Sequence, residues 1–163
     1  MGAWTGTVPS HAAGAKSKAS KLQTIDDILT ALTGSWTDFS ASFTITASVT
    51  PPTKGNSTYT AAYVQVGKTV DYTFSVTVGS TFVAGSGDYR FLLPVTAVMG
   101  SCIGVVRILD SGTSYYVAAL TMQNSTHLEA VKDGSATLVG SAGPGTAWAT
   151  GDIIRGQIRY EAA

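Results

Sequence analysis

The chain has a single cysteine, Cys102, and only two histidines, His11 and His127. A lone thiol excludes an intrachain disulfide and any thiolate metal cluster, and it suits a chain made in a reducing compartment with Cys102 as a small core residue. Charge is scarce too: 10 basic residues balance 10 acidic ones, and charged residues make up only 12% of the total. So weak a bulk charge supports no general attraction to nucleic acid or anionic lipid. No run approaches the ~20 apolar residues needed to span a bilayer, and residues 1–20 lack the apolar segment of a secretory signal. These absences predict a protein made in the cytoplasm, with no membrane insertion and no nucleic-acid partner.

Catalytic signatures are missing as well. There is no His-Glu-x-x-His, no Gly-x-Ser-x-Gly, no Walker lysine loop and no Gly-x-Gly-x-x-Gly. The acids Asp71, Asp88, Asp110, Glu129, Asp133, Asp152 and Glu161 stand singly, mostly beside glycines where turn formation accounts for them. Two of them at a glycosidase distance would allow a polysaccharide depolymerase, a weaker alternative that sequence alone cannot place. His127 and Glu129 at i and i+2 offer two metal ligands on one strand face, with no third nearby. Asp88 and Arg90 share a strand face and are expected to form a side-by-side ion pair. Arg155, Gln157 and Arg159 make a polar stripe opposite Ile154, Ile158 and Tyr160, read first as a solvated face. No catalytic residue, cofactor or metal is assigned, and the expectation is a non-enzymatic binding or structural module.

What the chain does contain is glycine, serine, threonine, alanine and valine in two different arrangements. Residues 1–20, MGAWTGTVPSHAAGAKSKAS, are Gly/Ala/Ser-rich with apolar islands at Trp4 and at Val8-Pro9. Such a composition builds no core by itself. The presence of Trp4 favours an extended arm that is ordered by lying on something else. Lys16, Lys18 and Lys21 precede every acidic residue and make this end cationic, fit to dock on an acidic surface. Without interleaved aromatics the trio is a poor nucleic-acid site.

A short helix follows. Ser20 can cap it, Gln23 three residues on completes a capping box, and Gly34 supplies the stop. Leu22, Ile25, Leu29 and Leu32 fall at a and d positions, with Ile28 widening the seam slightly. A helix of about 13 residues is marginal alone in water, because nucleation is costly. It must lean either on the chain's own β-body or on the same helix of sister copies. The narrow seam predicts the second, a trimerisation helix.

From Trp36 onward the period becomes two. Phe43, Ile45, Ala47 and Val49 alternate with polar residues, as do Val70, Tyr72, Phe74, Val76 and Val78. Gly-, Asn-, Asp- and Pro-bearing turns punctuate the series. The two Asn-x-Ser/Thr triplets, at Asn56 and Asn124, are read as polar turns. Roughly eight short strands result, which predicts an all-β, jelly-roll-like sandwich over residues 35–163, preceded by an attachment arm and one short α-helix over residues 1–34. Two stretches, Cys102–Leu109 and Ser114–Leu120, carry apolar residues in both phases. In a sandwich whose outer face meets water, this predicts a subunit interface at Val105, Ile108, Tyr115, Tyr116, Val117 and Leu120.

A set of short patterns in fixed order resembles a family. Trp36-Thr37-Asp38-Phe39 opens the body, Tyr63-x-x-x-Gly67-Lys68-Thr69-Val70 follows, then Gly85-Ser86-Gly87-Asp88-Tyr89-Arg90-Phe91-Leu92-Leu93-Pro94-Val95, and finally Trp148-x-x-Gly151-Asp152 with Tyr160-Glu161. This order is similar to small virion structural proteins of tailed phages infecting actinobacteria, of the minor-tail or head-fibre type. Ala3-Trp4-Thr5-Gly6-Thr7-Val8-Pro9 before a Leu-x-x-Ile helix resembles their attachment ends. The resemblance implies a homotrimeric jelly-roll knob, fixed to a tail or capsid protein by the N-terminal arm. It implies localisation in the virion and no enzymatic activity. On this reading the knob is a minor tail protein touching host surface polysaccharide, with a capsid decoration protein at three-fold positions as the alternative. The long shaft common in tail fibres is absent from the chain.

Overall fold

The computed structural model describes residues 22, 23, 25–27, 34–132, 138–143 and 147–163. The chain divides between Gly34 and Ser35 into two units. In the first, Leu22, Gln23, Ile25, Asp26 and Asp27 are helical, with Leu22 and Ile25 exposed. The Gln23 amide donates to Asp27 Oδ1 at 3.3 Å, one turn ahead. Gly34, the expected stop, has a left-handed φ of 48°. Ile28, Leu29 and Leu32 lie outside the described residues, as do Trp4, Val8, Pro9, Lys16, Lys18 and Lys21 of the arm.

The second unit is all-β. Its strands are β1 (Thr37–Asp38), β2 (Ile45–Ala47), β3 (Thr58–Val66), β4 (Thr69–Thr77), β5 (Tyr89–Leu92), β6 (Ile103–Asp110), β7 (Ser114–Asn124), β8 (His127–Lys132) and β9 (Ile153–Glu161). There are nine rather than the roughly eight expected; β1, with two residues, is too brief to show a period in sequence. All pair antiparallel in one sheet, in the order β1-β3-β4-β9-β6-β7-β8-β5-β2. The pairings β4 with β9, β5 with β8 and β6 with β7 are nested. Nesting of this kind is what results when one long antiparallel hairpin is rolled up, and it makes the body jelly-roll-like. The expected sandwich is realised as a single sheet curled over on itself.

Alternation decides what the roll encloses. Val70, Tyr72, Phe74 and Val76 of β4 point inward, with Val106 and Ile108 of β6, Ala118 and Leu120 of β7, Leu128 and Ala130 of β8, and Ile154, Ile158 and Tyr160 of β9. Phe74 stacks on Phe91 of β5 with centroids 4.9 Å apart, although β4 and β5 lie near opposite ends of the strand order. That contact closes the roll. Phe43 joins it, tilted against Phe74 at 5.3 Å. Each of these rings contributes roughly 1.5–3 kcal/mol by leaving water. Gly156 on β9 faces the same cluster, and a Cβ there would overlap the Phe74 ring, so only glycine lets β9 pass. Cys102 is half-buried against this core, its thiol donating to Leu120 O at 3.8 Å.

Turn chemistry follows the residues. Gly67, at φ 59°, and Lys68 link β3 to β4 in a two-residue hairpin whose flanking pair is Val66 and Thr69. Asn124 Oδ1 accepts from Thr126 N at 2.8 Å and from Thr126 Oγ1 at 2.9 Å, setting the β7–β8 turn. Asp152 is buried: Oδ1 accepts from Ser111 N and Oδ2 from Ala149 N, both at 2.8 Å, which ties the β6–β7 turn to the start of β9.

Candidate binding and association surface

Because the roll is filled by one face of each strand, the other face of β3, β4, β9, β6 and β7 lies outside. Register aligns its side chains in cross-strand rows. One row runs Asp38, Ala62, Thr73, Gln157, Val105, Ala119. The next runs Thr60, Ser75, Arg155, Arg107, Val117. The surface changes character along these rows, polar over β3, β4 and β9 and apolar over β6 and β7.

The apolar part is an exposed strip. Ile103 is 84% exposed, Val105 58%, Tyr115 60% and Val117 59%. Arg107 sits among them with its guanidinium 4.3 Å from the Tyr115 ring centroid, a cation–π contact that leans it toward β7. The two-phase apolarity of β6 and β7 therefore has two separate meanings. Ile108 and Leu120, expected at a subunit interface, are buried in the roll's own core. Tyr116 is half-buried against that core, with the Lys132 ammonium 5.3 Å from its ring. Of the six expected interface residues, Val105, Tyr115 and Val117 are available to another molecule, and Ile103 joins them.

Over β3, β4 and β9 lies an open groove of about 700 Å³ whose polar side chains stand among a mainly apolar exposed lining, with Trp36, Asp38 and Ser40 on one side and Arg155, Gln157, Val105 and Arg107 on the other. Trp36 is 53% exposed. Ser40 is fixed by its hydroxyl, which donates to Ala61 O at 3.3 Å and accepts from Ala61 N at 3.0 Å. Asp38 accepts from Ser40 N at 2.9 Å, and the hydrogen bonds from Ser40 hold its carboxyl below the usual aspartate range. Arg155 and Gln157 are exposed on β9. Arg159 of the same stripe is committed elsewhere: Nε and Nη2 donate to Asp71 Oδ1 and Oδ2 at 2.8 and 2.9 Å, which raises the guanidinium's pKa further.

Other expected pairs rearrange. Arg90 reaches Glu129 across β5 and β8 at 3.2 Å rather than Asp88, because the cross-strand neighbour is closer than the residue two along. Glu129 is thereby occupied, and His127 Nδ1 lies 2.9 Å from Thr126 Oγ1. Burial and the nearby Arg90 charge push the His127 pKa down, favouring neutral imidazole. Among the described residues no three His, Cys, Asp or Glu side chains gather to hold a metal.

The groove itself was not legible beforehand. Its residues come from strands distant in sequence, and only the Arg155-Gln157-Arg159 stripe carried a local signal. Compared with known proteins, the chain matches no family model, no curated protein and no solved structure.

Proposed function

We propose that this chain is a non-enzymatic structural protein of a tailed-phage virion. It is a homotrimer anchored by residues 1–34, with the β-body directed outward as a minor tail protein that contacts the host surface. The observation that carries the reading is the apolar strip in which Ile103, Val105, Tyr115 and Val117 stand exposed together on the adjacent strands β6 and β7. Apolar side chains gathered on adjacent strands are characteristic of association surfaces, and hiding each one recovers about 1 kcal/mol or more. A second copy supplies the same strip, so self-association is the simplest way to cover it. The resemblance supplies the number three and the virion setting.

Mass in solution is the direct test. Purified chain is expected to sediment at three times its 16.8 kDa, and Ile103→Asp with Val117→Asp to reduce it to one copy without loss of β-structure. Wild-type protein sedimenting as a single chain would overturn the reading. Immunogold labelling of intact virions then fixes the place: label at the tail is expected, and label over the head alone selects the capsid decoration role instead.

A further inference from the structure

The described lysines and arginines are almost all engaged. Lys68 pairs with Glu161, Arg90 with Glu129 and Arg159 with Asp71. Lys54, Arg107 and Lys132 lie over the rings of Tyr59, Tyr115 and Tyr116. Arg155 alone among them has neither a carboxylate nor a ring as partner among the described residues, and it lines the groove on the side away from Trp36. Its cross-strand neighbours are Ser75 on β4 and Arg107 on β6. Arg107 and Arg155 are paired in register, and this stretch of the groove carries no carboxylate, so its local charge is positive and favours an anion. With Arg107 drawn toward Tyr115, Arg155 is the group left to receive it.

The rest of the lining narrows the ligand. Gln157 and the Ser75 hydroxyl carry no hydrogen bond to the described residues, and between them they offer both donors and acceptors. Trp36 presents a half-exposed indole on the opposite wall, a surface on which the CH face of a sugar ring packs. Asp38 stands three strand spacings from Gln157 along one row, roughly 14 Å. A ligand with acid groups at every unit would meet Asp38 as a like charge. One with an acid at the Arg155 end and hydroxyls toward Asp38 satisfies both ends, since a carboxylate accepts from sugar hydroxyls.

We infer that this groove binds an acidic oligosaccharide in which uronate residues alternate with neutral ones: Arg155 takes the carboxylate, Gln157 and Ser75 take hydroxyls, and Trp36 packs on a ring. This deepens the host-contact role proposed above, but its test uses the purified chain alone, so failure here leaves the virion reading standing.

Isothermal titration calorimetry on the full chain, with an oligosaccharide of alternating hexosamine and uronic acid, is the experiment. Saturable binding is expected, with a neutral glucose oligosaccharide of equal length binding at least about tenfold more weakly, the worth of one charge-assisted contact. Arg155→Gln should remove that preference and flatten the salt dependence, while Trp36→Ala should weaken both ligands. Both positions are solvent-exposed, and circular dichroism will confirm that the variants fold. No saturable binding of the uronate ligand, equal affinity in wild type and Arg155→Gln, or tighter binding of an oligoglutamate peptide than of the glycan would each overturn the inference.

Discussion

At the scale of single residues, the most consequential side chain is one that sequence reading assigned only to a turn. Asp152 is buried and spends both carboxylate oxygens on backbone N–H groups from two different segments. Replacing it with alanine strands both donors away from water, at a cost of roughly 3 kcal/mol. The Asp152→Ala variant should therefore melt about 10 °C below wild type in a thermal scan. Tyrosines control a different condition. Burial pushes the Tyr59 and Tyr160 hydroxyls up to about 12, and Tyr160 also donates to Val95 O at 2.9 Å. In the unfolded chain these groups ionise near pH 10, so the folded state holds their protons longer. Stability is full below about pH 10 and falls as pH rises from there to about 12. Denaturant titrations across that window should show the decline, and Tyr160→Phe should make it shallower.

At the scale of elements, the strands show what periodicity can and cannot reveal. The inward residues of β4 are the alternating set Val70, Tyr72, Phe74 and Val76, readable from one segment because burial on one face imposes a period of two. β6 and β7 were readable as unusual, since both phases are apolar, but not as to which phase faces the core. That choice depends on which side of the sheet is enclosed, a property of the whole roll. The contact between Phe74 and Phe91 was likewise invisible, because it joins strands that are not hydrogen-bonded to each other. It also predicts where the roll is weakest to truncation. Phe91 is fully buried, and Phe91→Ala should cost about 3–5 kcal/mol, measurable as a lower midpoint in urea with an unchanged slope. The Arg155 groove was missed for the same reason as the ring contact: beyond the stripe of Arg155 and Gln157, its sides come from segments far apart in sequence, and the row through Arg155 joins five strands, β3, β4, β9, β6 and β7.

At the scale of the whole molecule, every described residue of the hydrophobic core lies between Phe43 and Ala162. Chain comprising residues 35–163 should therefore fold by itself and unfold in one cooperative transition in urea. Its sedimentation separates two sources of assembly. A trimer would place the association in the β6–β7 strip, whereas a single copy would assign it to Leu22, Ile25, Ile28, Leu29 and Leu32.

The margins of the sheet bear on what kind of assembly this can be. Its outermost strands are β1 and β2, with 2 and 3 residues, and beside β1 the Ser40 hydroxyl already takes both backbone groups of Ala61. A neighbour arriving edge-on at β1 or β2 finds only two or three residues' worth of N–H and C=O groups to pair with. Growth by strand addition, the route to ribbons and fibrils, thus gains little from either of these short strands. Association through side chains on a face closes into a ring of fixed number when its rotation permits, whereas strand addition leads to open ribbons.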